Sequence, residues 1–200
     1  MRFKIHQQDT YSRGQLLIRS LFGWFYILIP HTILLAIFGL WMGILHFLSF
    51  WVILFTGTFP RSWFDYHVKM IRWDLRLQAV IFNLSDEYPP FGLDAEFPQI
   101  EFDVEYPENI SRGDVLVRAL FGIFYIALPH AFLLLFRMIA TQILVFFSWW
   151  AVLFTGEFPR SWFDFIVGTL RWSTRLNCYL YFMTHEYPPF TGRELASDNA

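Results

Sequence analysis

The sequence predicts a mainly α-helical integral membrane protein made of two pseudo-symmetric repeats. Three observations carry that expectation. Hydrophobic residues make up 56% of the chain and charged residues 16%, where a soluble domain carries about 25% charged. Two apolar runs, Leu16 to Phe55 and Val115 to Phe154, each hold 40 residues with only three ionisable side chains. Those are Arg19, His31 and His46 in the first, and Arg118, His130 and Arg137 in the second. The ten residues Thr56 to Asp65 then return as Thr155 to Asp164 at an offset of 99, with only Thr58 replaced, by Glu157.

The repeat extends well beyond that stretch. Ser12-Arg13-Gly14 matches Ser111-Arg112-Gly113, and Pro30-His31 matches Pro129-His130. Glu87-Tyr88-Pro89-Pro90-Phe91 closes the first copy as Glu186-Tyr187-Pro188-Pro189-Phe190 closes the second. Two copies point to a pseudo-symmetric pair rather than a solenoid. The boundaries fall at 1–93 and 94–200. The first repeat holds a strand at 2–7, a hairpin at 14–56, an interfacial helix at 61–84 and the Tyr-Pro-Pro-Phe loop. The second holds a strand at 99–106, a hairpin at 113–155, an interfacial helix at 160–184 and a tail.

Each element has a local reason. Phe3 and Ile5 alternate with Arg2, Lys4 and His6, while Ile100, Phe102 and Val104 alternate with Glu101, Asp103 and Glu105. A period of two signals a half-buried strand. One polar face is basic and the other acidic, so pairing would set opposite charges against each other. Ser12-x-x-Gln15 and Ser111-x-x-Asp114 then look like capping boxes at helix starts.

A crossing takes about 20 apolar residues, so each 40-residue run is long enough for two. The turn between crossings is expected near 38–43 and 137–142, aligned segments that carry Gly39 and Gly43 in the first copy and Arg137, Thr141 and Gln142 in the second. Arg137 would snorkel from such a tip. Pro30 and Pro129 should kink the first crossing by removing a hydrogen bond.

At the repeated corner, Gly57 and Gly156 suit the left-handed residue that ends a helix. Pro60 and Pro159 stop its continuation. Arg61 with Asp65, and Arg160 with Asp164, are i,i+4 pairs opening the next helix. That helix carries a charged stripe, Asp65, Lys69, Arg72 and Arg76, with Asp164, Arg171 and Arg175 in the second copy. Spanning would gain about 2.4–4.8 kcal/mol from the apolar residues of 162–184 and lose about 5–7 kcal/mol at two central arginines. An amphipathic in-plane helix is therefore expected. Because the basic residues recur in both copies, the positive-inside rule asks for one shared orientation. Four crossings with cytoplasmic termini meet that requirement.

Taken together, the strand, Ser-Arg, the apolar run with Pro-His, Leu-Phe-Thr-Gly-x-Phe-Pro-Arg-x-x-Phe-Asp, Arg-Trp and Tyr-Pro-Pro-Phe resemble the bacterial domain-of-unknown-function family 4389, present as tandem copies. Many members of that family have Tyr-Pro at the corner, where this chain has Phe59 and Phe158. The resemblance implies a small protein of the bacterial inner membrane and brings no activity with it.

The candidate sites follow. His31 and His130 form an intramembrane polar pair, either bonded to carbonyls freed by the adjacent prolines or binding a ligand. Gly57, Pro60, Arg61, Asp65, Gly156, Pro159, Arg160 and Asp164 form structural corners. Arg72, Arg76, Arg171 and Arg175 are candidate contacts to lipid headgroups. No catalytic constellation, metal-ligand spacing, phosphate loop or nucleic-acid patch is legible, and Cys178 is the sole cysteine. The expected role is non-enzymatic: a membrane scaffold or accessory subunit of a larger assembly, without cofactor, its partners being lipids and other subunits or itself. A pore, carrier or lipid-binding module is the alternative.

Overall fold

The computed structural model describes residues 1–195. The final five residues of the expected tail lie outside the described residues. In chain order the elements are β1 (Arg2–Ile5), α1 (Arg13–Thr56), α2 (Arg61–Ile81), β2 (Ile100–Asp103), α3 (Arg112–Thr155) and α4 (Arg160–Leu180).

The two expected hairpins are not there. α1 and α3 are each one uninterrupted helix of 44 residues, so the four crossings inferred from hairpins do not stand. Both are long and apolar enough to cross a membrane. The expected tips contain no breaker strong enough to turn the chain. Gly39 and Gly43 sit in helical backbone with open space around them, and a lone glycine costs a helix only about 1 kcal/mol. Inward positions also keep helical spacing straight through the expected tip, at Ile27, His31, Met42, Leu45, Ser49 and Ile53. In an all-apolar run this period of 3.6 leaves little trace in hydropathy. Arg137, expected at a tip, lies mid-helix and turns inward, bonding Thr169 Oγ1 at 2.9 Å and the Phe165 carbonyl.

The prolines leave a different mark from a simple kink. Trp24–Leu28 and Ile123–Ala127 form one π-helical turn each, and α-helix resumes with Pro30 or Pro129 in its first turn. A wider turn is a recurrent way for a helix to absorb a residue that cannot donate.

Ser12 and Ser111 cap the long helices, their hydroxyls accepting from the amides of Gln15 and Asp114. At the other ends Gly57 (φ 77°) and Gly156 (φ 78°) take the left-handed conformation. Pro60 and Pro159 then stand at the N-caps of α2 and α4.

α2 folds back antiparallel along α1. The Tyr66 hydroxyl reaches the Phe38 carbonyl, Trp73 reaches His31, and Asn83 meets Arg19. α4 lies on α3 in the same way, through Thr169 with Arg137 and Trp172 with His130. The long helices run antiparallel with their ends meeting: Arg13 donates to the Phe154 carbonyl, and Trp149 to Ser20.

Above α2 and α4 lies the two-stranded sheet. β1 and β2 pair antiparallel with Arg2 opposite Asp103 and Lys4 opposite Glu101. The strands are exchanged between copies. β1, from the first, packs on α4, and β2, from the second, packs on α2. Phe3, Ile5, Phe102 and Val104 join one core with Phe64, Ile71, Phe163 and Leu170 from both copies.

α2 and α4 end three and four residues short of the expected bounds, where Asn83 (φ 58°) and Phe182 (φ 61°) turn left-handed. Leu84 and Met183 then donate back to the Ala79 and Cys178 carbonyls, closing each helix with a C-terminal cap. Asparagine tolerates that conformation; phenylalanine adopts it only under strain.

Candidate functional site

The cluster shared by both copies forms where the proline turn meets the Tyr-Pro-Pro-Phe loop. Pro30 has no amide hydrogen, so the carbonyl of Tyr26, four residues earlier, loses its helical donor. The Tyr88 hydroxyl donates to that carbonyl at 3.2 Å. In the second copy Tyr187 donates to Tyr125, four residues before Pro129, at 3.0 Å. The tyrosine of the closing motif thus satisfies the carbonyl that the helix proline leaves open.

The adjacent histidines are fully buried. Nδ1 of His31 accepts from the Trp73 indole N–H at 2.9 Å, and His130 accepts from Trp172 at the same distance. Phe91 stacks on His31 with ring centroids 4.0 Å apart, and Phe190 on His130 at 4.1 Å. An Nδ1 that accepts leaves the proton on Nε2. One nitrogen is therefore occupied; the other, Nε2, is buried without a hydrogen-bond partner among the described residues, while the phenylalanine covers one ring face. The partner is a tryptophan from the antiparallel helix, not the freed carbonyl anticipated from the Pro-His dipeptide.

The arginine stripe also differs from expectation. Arg76, Arg171 and Arg175 are buried. Arg76 donates to the Ala95 and Gly92 carbonyls, Arg175 to those of Thr191 and Arg193, and Arg171 to Gly192 and the Glu194 carboxylate. Arg72, half exposed, binds the Phe102 carbonyl and Asp103 at 3.0 Å. These side chains hold the segments that follow each Tyr-Pro-Pro-Phe motif, three of them buried and Arg72 half exposed. Burial disfavours the charged form of Arg76, and the two carbonyls compensate for lost hydration.

At the corners, Arg61 pairs with Asp65 at 3.0 Å and Arg160 with Asp164 at 3.2 Å, both largely exposed. Arg61 also lies over the Tyr106 ring at 4.8 Å. Such exposed pairs contribute about 0.2–1 kcal/mol each. They lie in the first turns of α2 and α4, just after the proline N-caps. Gly57 and Gly156 accept across copies, from the amides of Ile110 and Tyr11, both at 2.8 Å.

Two further clusters carry no motif. Arg19 reaches Asn83, the Ser85 carbonyl and Asp86, while Arg118 reaches Asp114 and the Tyr179 and Thr184 carbonyls. The second cluster breaks the symmetry. His46 and His67 face each other at 6.3 Å between ring centroids, enclosed by Tyr181, Phe182 and Phe59. The matching positions in the second copy are Val145 and Ile166.

His67 Nδ1 contacts the Trp63 carbonyl at 2.7 Å, while its Nε2 and Nδ1 of His46 have no hydrogen-bond partner among the described residues. Desolvation holds the His67 imidazole below its ordinary pKa. Aligning the chain with itself at 99 residues picks out this pair, since it is where two imidazoles replace aliphatic side chains. Among the described residues no third His, Cys, Asp or Glu joins them to make a metal-ligand set.

On the polar side, a cleft of about 650 Å³ is lined by Lys69, Arg72, Asp94, Glu101 and Asp103, with Lys69 and Asp94 paired across it at 2.5 Å. Its charges largely answer one another.

Residues 112–192 match a family described as a domain of unknown function, DUF4389. That span covers α3, α4 and the second Tyr-Pro-Pro-Phe loop. No curated protein and no solved structure matches the chain.

Proposed function

We propose that the protein is a non-enzymatic membrane scaffold, an accessory subunit that docks on other membrane proteins or on itself. One observation carries this reading. Seventeen large hydrophobic side chains stand exposed on α1 and eighteen on α3, more than isolated surface apolar residues account for. Burial of the ionisable groups supports a structural role over a chemical one. His31 and His130 are spent on Trp73 and Trp172, and the buried arginines on carbonyls.

We read residues 1–93 as a first copy of the domain matched at 112–192, on the strength of the 99-residue repeat. The family resemblance favours the bacterial cytoplasmic membrane, with the termini on the cytoplasmic side. Purification in mild detergent with crosslinking tests the role. A specific co-purifying membrane protein or a defined homo-oligomer is expected; a clean monomer without partner counts against the scaffold. The scaffold reading is favoured over a pore or carrier by the burial of both histidines, each stacked by a phenylalanine and bonded by a tryptophan.

A further inference from the structure

We propose that α1 and α3 lie along the membrane within one leaflet and do not cross it, with anionic headgroups gathered at both ends of the apolar face. This rests on the membrane reading above and adds the orientation. The argument begins with α2. Its exposed charges, Arg61, Asp65, Lys69 and Arg72, make it too costly to place in hydrocarbon. Yet α2 is fastened antiparallel to α1, from Tyr66 against Phe38, through Trp73 against His31, to Asn83 against Arg19. Wherever that stretch of α1 goes, α2 goes at the same depth. α4 binds α3 to the same condition, with Arg160 and Asp164 exposed at its start.

Dimensions agree. A 44-residue helix has a contour of about 66 Å at 1.5 Å per residue, whereas hydrocarbon is about 30 Å thick. Laid flat, that length needs no accommodation.

The side chains sort by side. Arg19, His31, Arg118, His130 and Arg137 all turn toward the α2/α4 layer, where their partners lie; His46 turns there too, toward His67. The outward face, from Leu17 to Phe55 and from Leu116 to Phe154, keeps no charged side chain. It is instead bracketed by arginines: Arg13 and Arg160, the latter paired with Asp164, at one end, and Arg61, paired with Asp65, and Arg112 at the other. In a flat placement all four meet the same headgroup surface. Apolar side below and charge at the rim is the pattern of an interfacial helix bound to anionic lipid.

The test uses the full chain in vesicles of phosphatidylcholine containing one quarter phosphatidylglycerol. Single cysteines are placed at exposed positions along α1, as Leu21→Cys, Ile33→Cys, Leu40→Cys and Phe55→Cys, and labelled with a nitroxide. Cys178 is buried and its thiol is pushed up to about 12, so it stays unlabelled. Collision with oxygen against a water-soluble nickel complex gives the depth of each label. The flat orientation expects all four at similar depth in one leaflet, with Asp103→Cys in water.

A depth profile that peaks mid-helix and returns toward the opposite surface would overturn the inference while leaving the membrane scaffold standing. Failure of the protein to float with vesicles would remove both readings. Labels shielded from oxygen and from nickel, with strong coupling between copies, would show that a second copy covers the face and would also overturn it.

The headgroup part has its own arm. Arg13→Gln with Arg160→Gln, and Arg61→Gln with Arg112→Gln, should each weaken binding to these vesicles roughly tenfold and leave binding to pure phosphatidylcholine unchanged. The matching lysine pairs should retain binding. Equal losses on both lipids, or no loss on either, would refute the arginine bracket.

Discussion

The His31–Trp73 bond offers the sharpest test of how α2 is held to α1. Both rings are at most 1% exposed, and the indole N–H meets Nδ1 at 2.9 Å. Trp73→Phe removes the donor, leaves a buried acceptor unpaired and opens space where the indole was. An unsatisfied buried acceptor costs about 1–3 kcal/mol, and lost aromatic volume adds to it. A double-mutant cycle separates the two. In a His31→Phe background, with the new ring keeping the stack on Phe91, Trp73→Phe carries the volume term without the hydrogen bond. The difference between the two effects should be about 1–2 kcal/mol. Unfolding in nonionic detergent, followed by near-UV circular dichroism, measures it. His130 and Trp172 share the geometry, so the same cycle there should give a similar value. A coupling within about 0.5 kcal/mol of zero in both copies would show that the rings merely pack.

Other outcomes follow from neighbouring features. Tyr88→Phe and Tyr187→Phe each remove one donor from a proline-freed carbonyl, and should each cost about 0.5–1.5 kcal/mol in the same unfolding assay, adding when combined. Gly57→Ala should cost about 1–2 kcal/mol, because φ is 77° and the space beside Arg112 and Ile110 is ordinary contact distance. His67 titrates below its unfolded value, so its contribution to stability is complete above about pH 6.5 and falls as pH drops below that, since the unfolded state then binds more protons. Unfolding measured from pH 8 to 5 should show that loss. His67→Leu should lessen that loss without abolishing it, since burial lowers the His46 imidazole as well; an unchanged profile would assign the dependence elsewhere.

Features built from contiguous residues were legible in the sequence. The left-handed glycines, the proline N-caps, the serine caps and the Arg-Asp pairs at i,i+4 lie within a few residues of one another. Their chemistry needs no knowledge of the rest of the chain. The hairpins misled for a physical reason. Apolar length is what hydropathy measures, and 40 apolar residues satisfy two crossings as readily as one long helix with a lipid-like face. What separates the cases is a stripe of small and polar inward residues, His31, Ser49, Thr141 and Ser148 among them. That stripe has meaning only once α2 and α4 are known to lie against it. The arginines misled similarly. A charged stripe on an amphipathic helix normally faces solvent, but the loops after Phe91 and Phe190 close over these side chains and offer carbonyls instead. The pairing of Tyr88 with the carbonyl freed by Pro30 was within reach, since both parts recur at the same offset. Repeated motifs that each leave or supply one hydrogen-bonding group are candidates to answer each other.

The exchanged contacts suggest why the chain carries two copies. The first copy's corner glycine receives the Ile110 amide from the second, and the second copy's corner receives Tyr11 from the first. β1 rests on α4 and β2 on α2, and neither strand has a partner inside its own copy. A single copy would leave a lone strand, an unmet corner carbonyl and half of the common core uncovered. A two-stranded sheet is already marginal by itself, and one strand has no sheet to join. Residues 1–99 expressed alone should therefore fold only as a symmetric dimer in detergent, each copy capping the other's corner and core. That dimer should be a weak one, because two β1 strands would set Arg2 against Lys4 where the full chain sets them against Asp103 and Glu101. Sedimentation of that half as a folded monomer with native-like circular dichroism would refute the argument. A dimer whose stability depends on Phe3 would support it, because that ring packs beneath Arg171 of the second copy and in the core common to both.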